Sequence, residues 1–266
     1  MSFTQFTTLV LLFPLIFSLD YTNQEAWPDD CQSDQIQSPI DIETSNVVED
    51  KSVFSFESID YSTIASTSVT YQHEYSVSTP TLDNGNIKVK INGTEFTYKI
   101  ANIHFHLNSE HTIDDKLYDM EMHVVHENTN SDDKNNLHMV IGYIFEAKEN
   151  YDDNDFLNSI GFNTGETVSN VKVKDIVKKE KVYYYKGSLT TPPCTEDVNW
   201  VVVKNIKKMS TTQFNQFKEY VIKLNSAYAR GNNRQTYDLN GRKVYLSNCI
   251  YIKFSFSLLV LLFILF

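Results

Sequence analysis

The stretch Ile100-Ala101-Asn102-Ile103-His104-Phe105-His106-Leu107 decides the reading of this chain. It is an apolar run without Gly or Pro, and it predicts a strand. Side chains alternate across a strand, so His104 and His106 share one face and Phe105 takes the other. Two imidazoles so placed can reach one metal ion between them. Glu121-Met122-His123-Val124-Val125-His126 follows in the next apolar run. If that run forms a neighbouring antiparallel strand, His123 comes to stand opposite the first pair. Three imidazoles from two strands leave one corner of a tetrahedron open. Catalytic zinc sites have that form, whereas structural sites close all four corners.

Outward from this pair, short β-rich runs continue: Ile87–Ile91, Glu95–Ile100, His138–Phe145 and Val198–Val203. Asp83-Asn84-Gly85, Asn92-Gly93, Asn128–Asn136 and Thr191-Pro192-Pro193 punctuate them as turns. The best helical pattern is Ser210–Tyr228, where Phe214, Phe217, Val221, Leu224 and Tyr228 recur at spacings of three and four. Ser210 is placed to cap it. The residues describe one mainly β domain of α+β character with short peripheral helices. The loop Tyr185–Cys194 is tightened by Gly187 and a proline pair, and can present the hydroxyls of Thr190 and Thr191 to a site.

The 266 residues are 41% hydrophobic and 21% charged, with a formal net charge of −11. That composition suits a globular protein and argues against disorder. The acidic balance lacks the clustered Lys and Arg that a nucleic-acid backbone requires. Both ends are apolar. Leu9–Phe17 reads as the core of a secretory signal peptide spanning residues 1–19, though no Lys or Arg precedes it. Phe254–Phe266 is uncharged and short of the roughly 20 residues that span a bilayer. With Ser247, Asn248 and Cys249 just upstream, residues 248–266 read as a GPI-attachment signal or a hydrophobic C-terminal membrane anchor. The expected destination is the extracellular face of the plasma membrane, with residues 20–247 as the body. If the tail is removed at or before Cys249, Cys31 and Cys194 remain, and a disulfide between them fits an oxidising compartment. Asn92-Gly93-Thr94 is a glycosylation acceptor pattern that needs a surface turn.

Gln37-Ser38-Pro39-Ile40-Asp41-Ile42, the His104-Phe105-His106 run with Ser109-Glu110-His111 behind it, Glu121-Met122-His123 and the Gly187–Cys194 loop occur in this order. In these motifs the chain resembles the alpha-class carbonic anhydrases, from about residue 21 to residue 247. The resemblance implies a single domain around a large, mostly antiparallel twisted sheet, and reversible hydration of CO2 to bicarbonate by hydroxide on Zn2+. It implies His104, His106 and His123 as the zinc ligands. Thr190 would orient the hydroxide, with Glu110 accepting the proton of the Thr190 hydroxyl. Glu121 would accept the ring N–H of His123. Val125, Val140, Leu189, Val198 and Trp200 would form the apolar wall for CO2, with Thr191 on the polar side. His111, His126 and His138 read as structural, and so does Arg234. Cys31 and Cys194 fall where extracellular members carry their disulfide.

Three positions depart from the family pattern. Asn102 stands where a glutamine normally bonds the first zinc ligand, so that bond is expected to be lost, lengthened or bridged by water. Asn86, after Asn84-Gly85, occupies the proton-shuttle position, and asparagine does not titrate near neutrality. Gln235-Thr236-Tyr237 replaces a stretch that tends to hold proline and glutamine. His73 is the upstream histidine left without a role. A catalytically silent surface binding module on the same fold is the competing reading. Such modules generally lose a zinc-ligand histidine, and here all three are present.

Overall fold

The computed structural model describes residues 19–33, 35–61, 68–72, 74–78, 85–130, 132–161, 180–224 and 226–247. His73, nearly all of the expected signal peptide and the whole expected anchor lie outside the described residues. The strands, in chain order, are β1 (Asp41–Ile42), β2 (Val48–Glu49), β3 (Phe54–Tyr61), β4 (Ser68–Gln72), β5 (Glu74–Ser78), β6 (Gly85–Ile91) and β7 (Thr94–Leu107). They continue as β8 (Thr112–Ile113), β9 (Met120–Asn128), β10 (His138–Lys148), β11 (Val182–Gly187), β12 (Val198–Val203), β13 (Lys207–Ser210) and β14 (Tyr245–Ser247). Twelve of them form one sheet whose main path runs β2-β14-β11-β12-β10-β9-β7-β5-β4, with β6 also on β7 and β3 on β6. Most pairings are antiparallel; β10 with β12, β10 with β13 and β14 with β2 are parallel.

The two expected runs Glu95–Ile100 and Ile100–Leu107 are one strand, β7, with a bulge in it. Ile100 stands opposite His126 and Asn102 opposite Val125, so Ala101 is an extra residue. A bulge shifts the alternation by one. Before it, Tyr98 and Ile100 enter the larger core; after it, Ile103, Phe105 and Leu107 do. Were Ala101 paired in regular alternation instead of bulged, His104 and His106 would continue the Tyr98–Ile100 face into that core.

The neighbouring strands bury both faces. Met120, Met122, Val124, Met139, Ile141, Val201 and Val203 join the larger core, against Phe217 and Val221 of a helix. Val125, Val140, Val198, Trp200 and Val202 form a second cluster on the opposite face. α1 spans Asp155–Ser159 and α2 spans Thr211–Leu224. Ser210 Oγ accepts the Gln213 N–H at 3.0 Å, the expected cap. The helix is shorter than its sequence pattern, because Ser226–Arg230 forms a separate 3-10 turn. Cys31 and Cys194 are joined by a disulfide.

His126 lies on the core face, with Nδ1 3.2 Å from the Met139 carbonyl and Nε2 2.6 Å from the Tyr61 hydroxyl. The neutral ring with its proton on Nδ1 satisfies both partners. Burial pushes its pKa down to about 4. The unfolded chain, titrating near 6.5, therefore takes up this proton first. Stability is expected to fall by up to about 3 kcal/mol as pH drops from 6.5 to 4. Urea melts across that range should show a shallower pH slope in His126→Gln than in the wild type.

Candidate metal centre

β7 and β9 bring the three histidines together. Their register sets His104 directly opposite His123, and alternation adds His106 on the same face. The inner nitrogens, His104 Nε2, His106 Nε2 and His123 Nδ1, point toward one another. One ring nitrogen from each residue lies within 4.8 Å of the other two. Every outer nitrogen meets an atom that only accepts. His104 Nδ1 is 2.8 Å from Asn102 Oδ1, His106 Nδ1 is 2.9 Å from the Asn232 carbonyl, and His123 Nε2 is 2.9 Å from Glu121 Oε1. The ring protons therefore sit outside, and three lone pairs converge inside.

Two such lone pairs, His104 Nε2 and His123 Nδ1, face each other at 3.2 Å. With both ring protons on the outer nitrogens, that contact calls for a cation between them. A tetrahedral zinc with bonds of about 2.0–2.1 Å spaces its ligand nitrogens about 3.3–3.4 Å apart. The donor set and the spacing both fit zinc with one position left open. Burial holds the His123 pKa far below its ordinary range, and His106 and His104 add to that effect against Glu121. The ring is neutral, as a metal ligand must be.

The Asn102 bond is retained, at ordinary length, contrary to the expectation for its shorter side chain. Asn102 follows the bulge directly and shares the His104 face, so the shorter side chain still reaches His104.

Glu121 is fully buried and accepts four bonds. Besides His123 it takes the backbone N–H groups of Glu110 and His111 at 2.9 and 2.8 Å, and His111 Nδ1 at 2.7 Å. Burial opposes its charge, but His111 and His123 hold the carboxyl well below the usual range. A β-carbon on Gly142, which pairs with His123, would lie 2.8 Å from Glu121 Oε1. Glycine there makes room for the carboxylate. From His111 the chain of bonds runs through Tyr185 at 2.7 Å to Ser38 at 2.9 Å, and Ser38 accepts the Ser188 N–H at 3.1 Å. The Gln37–Ile42 motif is thereby tied to the threonine loop. His111, Glu121 and His123 also cluster closely enough to hold a metal, but the carboxylate already occupies the donors of both rings.

Glu110 is buried beside the triad, with Oε1 3.4 Å from His106 Nδ1 and Oε2 3.9 Å from His123 Nδ1. Oε1 accepts the Arg234 N–H at 2.8 Å. Burial pushes its pKa up, and His106, Thr190 and the Arg234 amide pull it back. Thr190 interacts with this carboxylate, yet Oε2 makes no hydrogen bond of ordinary geometry, so the contact is long or bent. Val125, Val140, Val198 and Trp200 share one cluster, with Leu189 packed against it and Thr191 half-buried. Trp200 meets His123 edge-on at 4.8 Å between ring centres and donates its indole N–H to Ser188 O at 2.9 Å.

Residues 22–248 match the sequence model of the eukaryotic-type carbonic anhydrases. This chain belongs to that family. A carbonic anhydrase of Dunaliella salina is 30% identical over 241 residues, covering 79% of this chain and 39% of that protein. Alpha carbonic anhydrase 3 of Arabidopsis thaliana is 33% identical over 168 residues, covering 60% of this chain and 56% of that protein. The chain thus spans well under two thirds of these relatives. Among solved structures, the alpha-carbonic anhydrase of Thermovibrio ammonificans in complex with sulfanilamide superimposes with a TM-score of 0.63 at 29% identity, over 79% of this chain and 86% of that one. Zinc is the metal of the alpha carbonic anhydrases, in agreement with the triad's donor set.

Of the remaining family positions, Asn86 lies exposed on β6, paired with Asp60 and Lys99. His138 bonds Asp197 at 3.0 Å, away from the triad. Arg234 is buried and bonds the Ser38 carbonyl at 2.7 Å. The carbonyl that holds His106 belongs to Asn232, which sequence reasoning missed. A backbone acceptor 126 residues away carries no side-chain signal.

Proposed function

We propose that this chain catalyses the zinc-dependent, reversible hydration of CO2 to bicarbonate and a proton. The observation that carries the reading is three imidazoles converging beside a buried Glu110, against an apolar wall. His104, His106 and His123 would hold the ion. Zinc, when bound, acidifies a coordinated water to a pKa of about 7 and so supplies a nucleophile at neutral pH. Thr190 would donate a hydrogen bond to Glu110, leaving its oxygen to accept one from the attacking water or hydroxide and orient its lone pair. Val125, Val140, Leu189, Val198 and Trp200 offer CO2 a surface free of competing hydrogen bonds. Glu121 and Asn102 keep the ring protons of His123 and His104 on the outer nitrogens. The intact triad weighs against a silent binding module.

Proton export is the weak step in this design, because Asn86 does not titrate. Stopped-flow CO2 hydration by the zinc-loaded protein in weak buffer should therefore climb with added imidazole. Asn86→His should raise turnover in weak buffer at least about tenfold, below the range a well-positioned acid–base group supplies. Absence of hydration at stoichiometric zinc would overturn the enzyme reading. Imidazole-independent hydration would overturn only the shuttle argument.

The same reading places the protein at the cell surface, with a cleaved leader and a GPI or apolar C-terminal anchor. Its support is the apolar character of both ends. Glycosylation at Asn92 accompanies it: Asn92 and Gly93 form the exposed two-residue turn between β6 and β7, with φ of 50° and 81°. Release of the protein by phospholipase C, and a glycosidase mass shift lost in Asn92→Gln, are the expected results. Retention inside cells would refute the placement.

A further inference from the structure

The segment Arg230–Arg234 carries no zinc ligand, yet it touches the site twice. The Asn232 carbonyl accepts from His106 Nδ1 at 2.9 Å, and the Arg234 N–H donates to Glu110 Oε1 at 2.8 Å. A carbonyl and an amide on a loop hold direction only as well as the loop is held. Gln24 Nε2 donates to the Asn233 carbonyl at 3.1 Å and the Arg234 guanidinium to the Ser38 carbonyl at 2.7 Å, but the bonds around Asn232 itself run to the end of β7. Asn232 N–H donates to the Leu107 carbonyl at 3.2 Å, and Asn232 Oδ1 accepts the Leu107 N–H at 2.6 Å. Asn108 Nδ2 donates to the Arg230 carbonyl and to Asn233 Oδ1, both at 3.1 Å.

Two left-handed residues make this fit possible. Asn108 has φ +65°, which turns its side chain from the strand line onto the loop. Asparagine tolerates that conformation better than most residues. Gly231 has φ +109°, and a β-carbon there would lie 2.3 Å from Asn108 Nδ2 and 2.9 Å from the Leu107 carbonyl. The approach is too close for any side chain.

We propose that Asn108, Gly231 and the Asn232 side chain form a clasp whose task is to position His106 and Glu110 for zinc. They are positioning residues, acting through a carbonyl and an amide rather than on substrate. The inference rests on the zinc-enzyme reading above and adds to it the residues that set the stiffness of one ligand. Loss of an outer partner of a metal-bound histidine typically weakens metal binding roughly 10–100-fold.

The test is zinc affinity by chelator competition on the full folded protein, with apo-protein melting measured alongside. Asn108→Gly removes the side chain while keeping a residue at ease with φ +65°; Asn232→Ala removes the acceptor of the Leu107 N–H and leaves the backbone bond to the Leu107 carbonyl. Val221→Ala, in the core under α2, is the control for general loosening. Asn108→Gly and Asn232→Ala are expected to weaken zinc binding roughly tenfold or more. Val221→Ala should lower apo melting and leave zinc affinity within about twofold. Gly231→Ala should behave as the clasp variants where it folds. Wild-type affinity in both clasp variants would overturn the proposal. So would equal weakening in Val221→Ala. Failure of the wild type to bind zinc would instead overturn the enzyme reading on which it rests.

Discussion

Replacing His123 with alanine is expected to weaken zinc binding at least about a hundredfold and to take CO2 hydration to background. A zinc site binds with about 10–16 kcal/mol, so one of four ligands accounts for about 3 kcal/mol. The same loss is expected from His104→Ala, but the apo proteins should differ. His123 is buried and donates to the charged Glu121. Its removal takes one of four donors from a buried carboxylate, so apo melting falls. His104 is partly exposed, its outer partner is Asn102, and its inner nitrogen faces that of His123 at 3.2 Å. Removing it costs the apo protein only that tautomer-dependent contact and the Asn102 bond, so apo melting falls less than in His123→Ala while the zinc-induced rise disappears. Thermal melts with and without zinc, beside chelator competition, read both effects. Unchanged zinc affinity in both variants would mean that the triad is not the metal site.

How far the chain could be read follows from the range of each signal. The H-x-H pair was legible because strand alternation is local, whereas His123 joined it only on the condition that the two runs pair, which β7 and β9 do. The apolar wall was legible only through family resemblance, since Val140 or Val198 in isolation is indistinguishable from core. The bulge at Ala101 was not legible. Nothing in Ile100-Ala101-Asn102 announces an extra residue, yet it turns the histidines away from the Tyr98–Ile100 face. Its neighbour Asn102 reaches His104 at 2.8 Å for a related reason: the backbone after the bulge, and not side-chain length alone, sets the reach. The Asn232 carbonyl and the space at Gly142 escaped because they act as backbone and as absence of side chain. Such roles appear only when distant segments meet.

Breaking the disulfide with Cys31→Ser and Cys194→Ser together is expected to cost about 3–5 kcal/mol, because the bond closes a loop spanning 163 residues. Typical domains have about 5–15 kcal/mol in all, so the variant should be marginal at physiological temperature. In urea both the midpoint should fall and the slope should rise, since the unfolded chain expands once the crosslink is gone. The effect on function should be split. The zinc ligands stand on β7 and β9, remote in sequence from either cysteine. The Cys194 end belongs to the threonine loop: its N–H donates to the Thr191 carbonyl at 2.9 Å, and Thr190 lies just before it. At the other end, the Cys31 carbonyl accepts the Tyr237 hydroxyl at 2.9 Å and the Arg234 guanidinium. Zinc affinity of the folded variant should therefore stay near wild type while turnover falls, because in the proposed function the bond's local task is to hold Thr190 beside Glu110. Equal losses of zinc and turnover would mean that the crosslink supports the whole sheet and has no separate role at the loop.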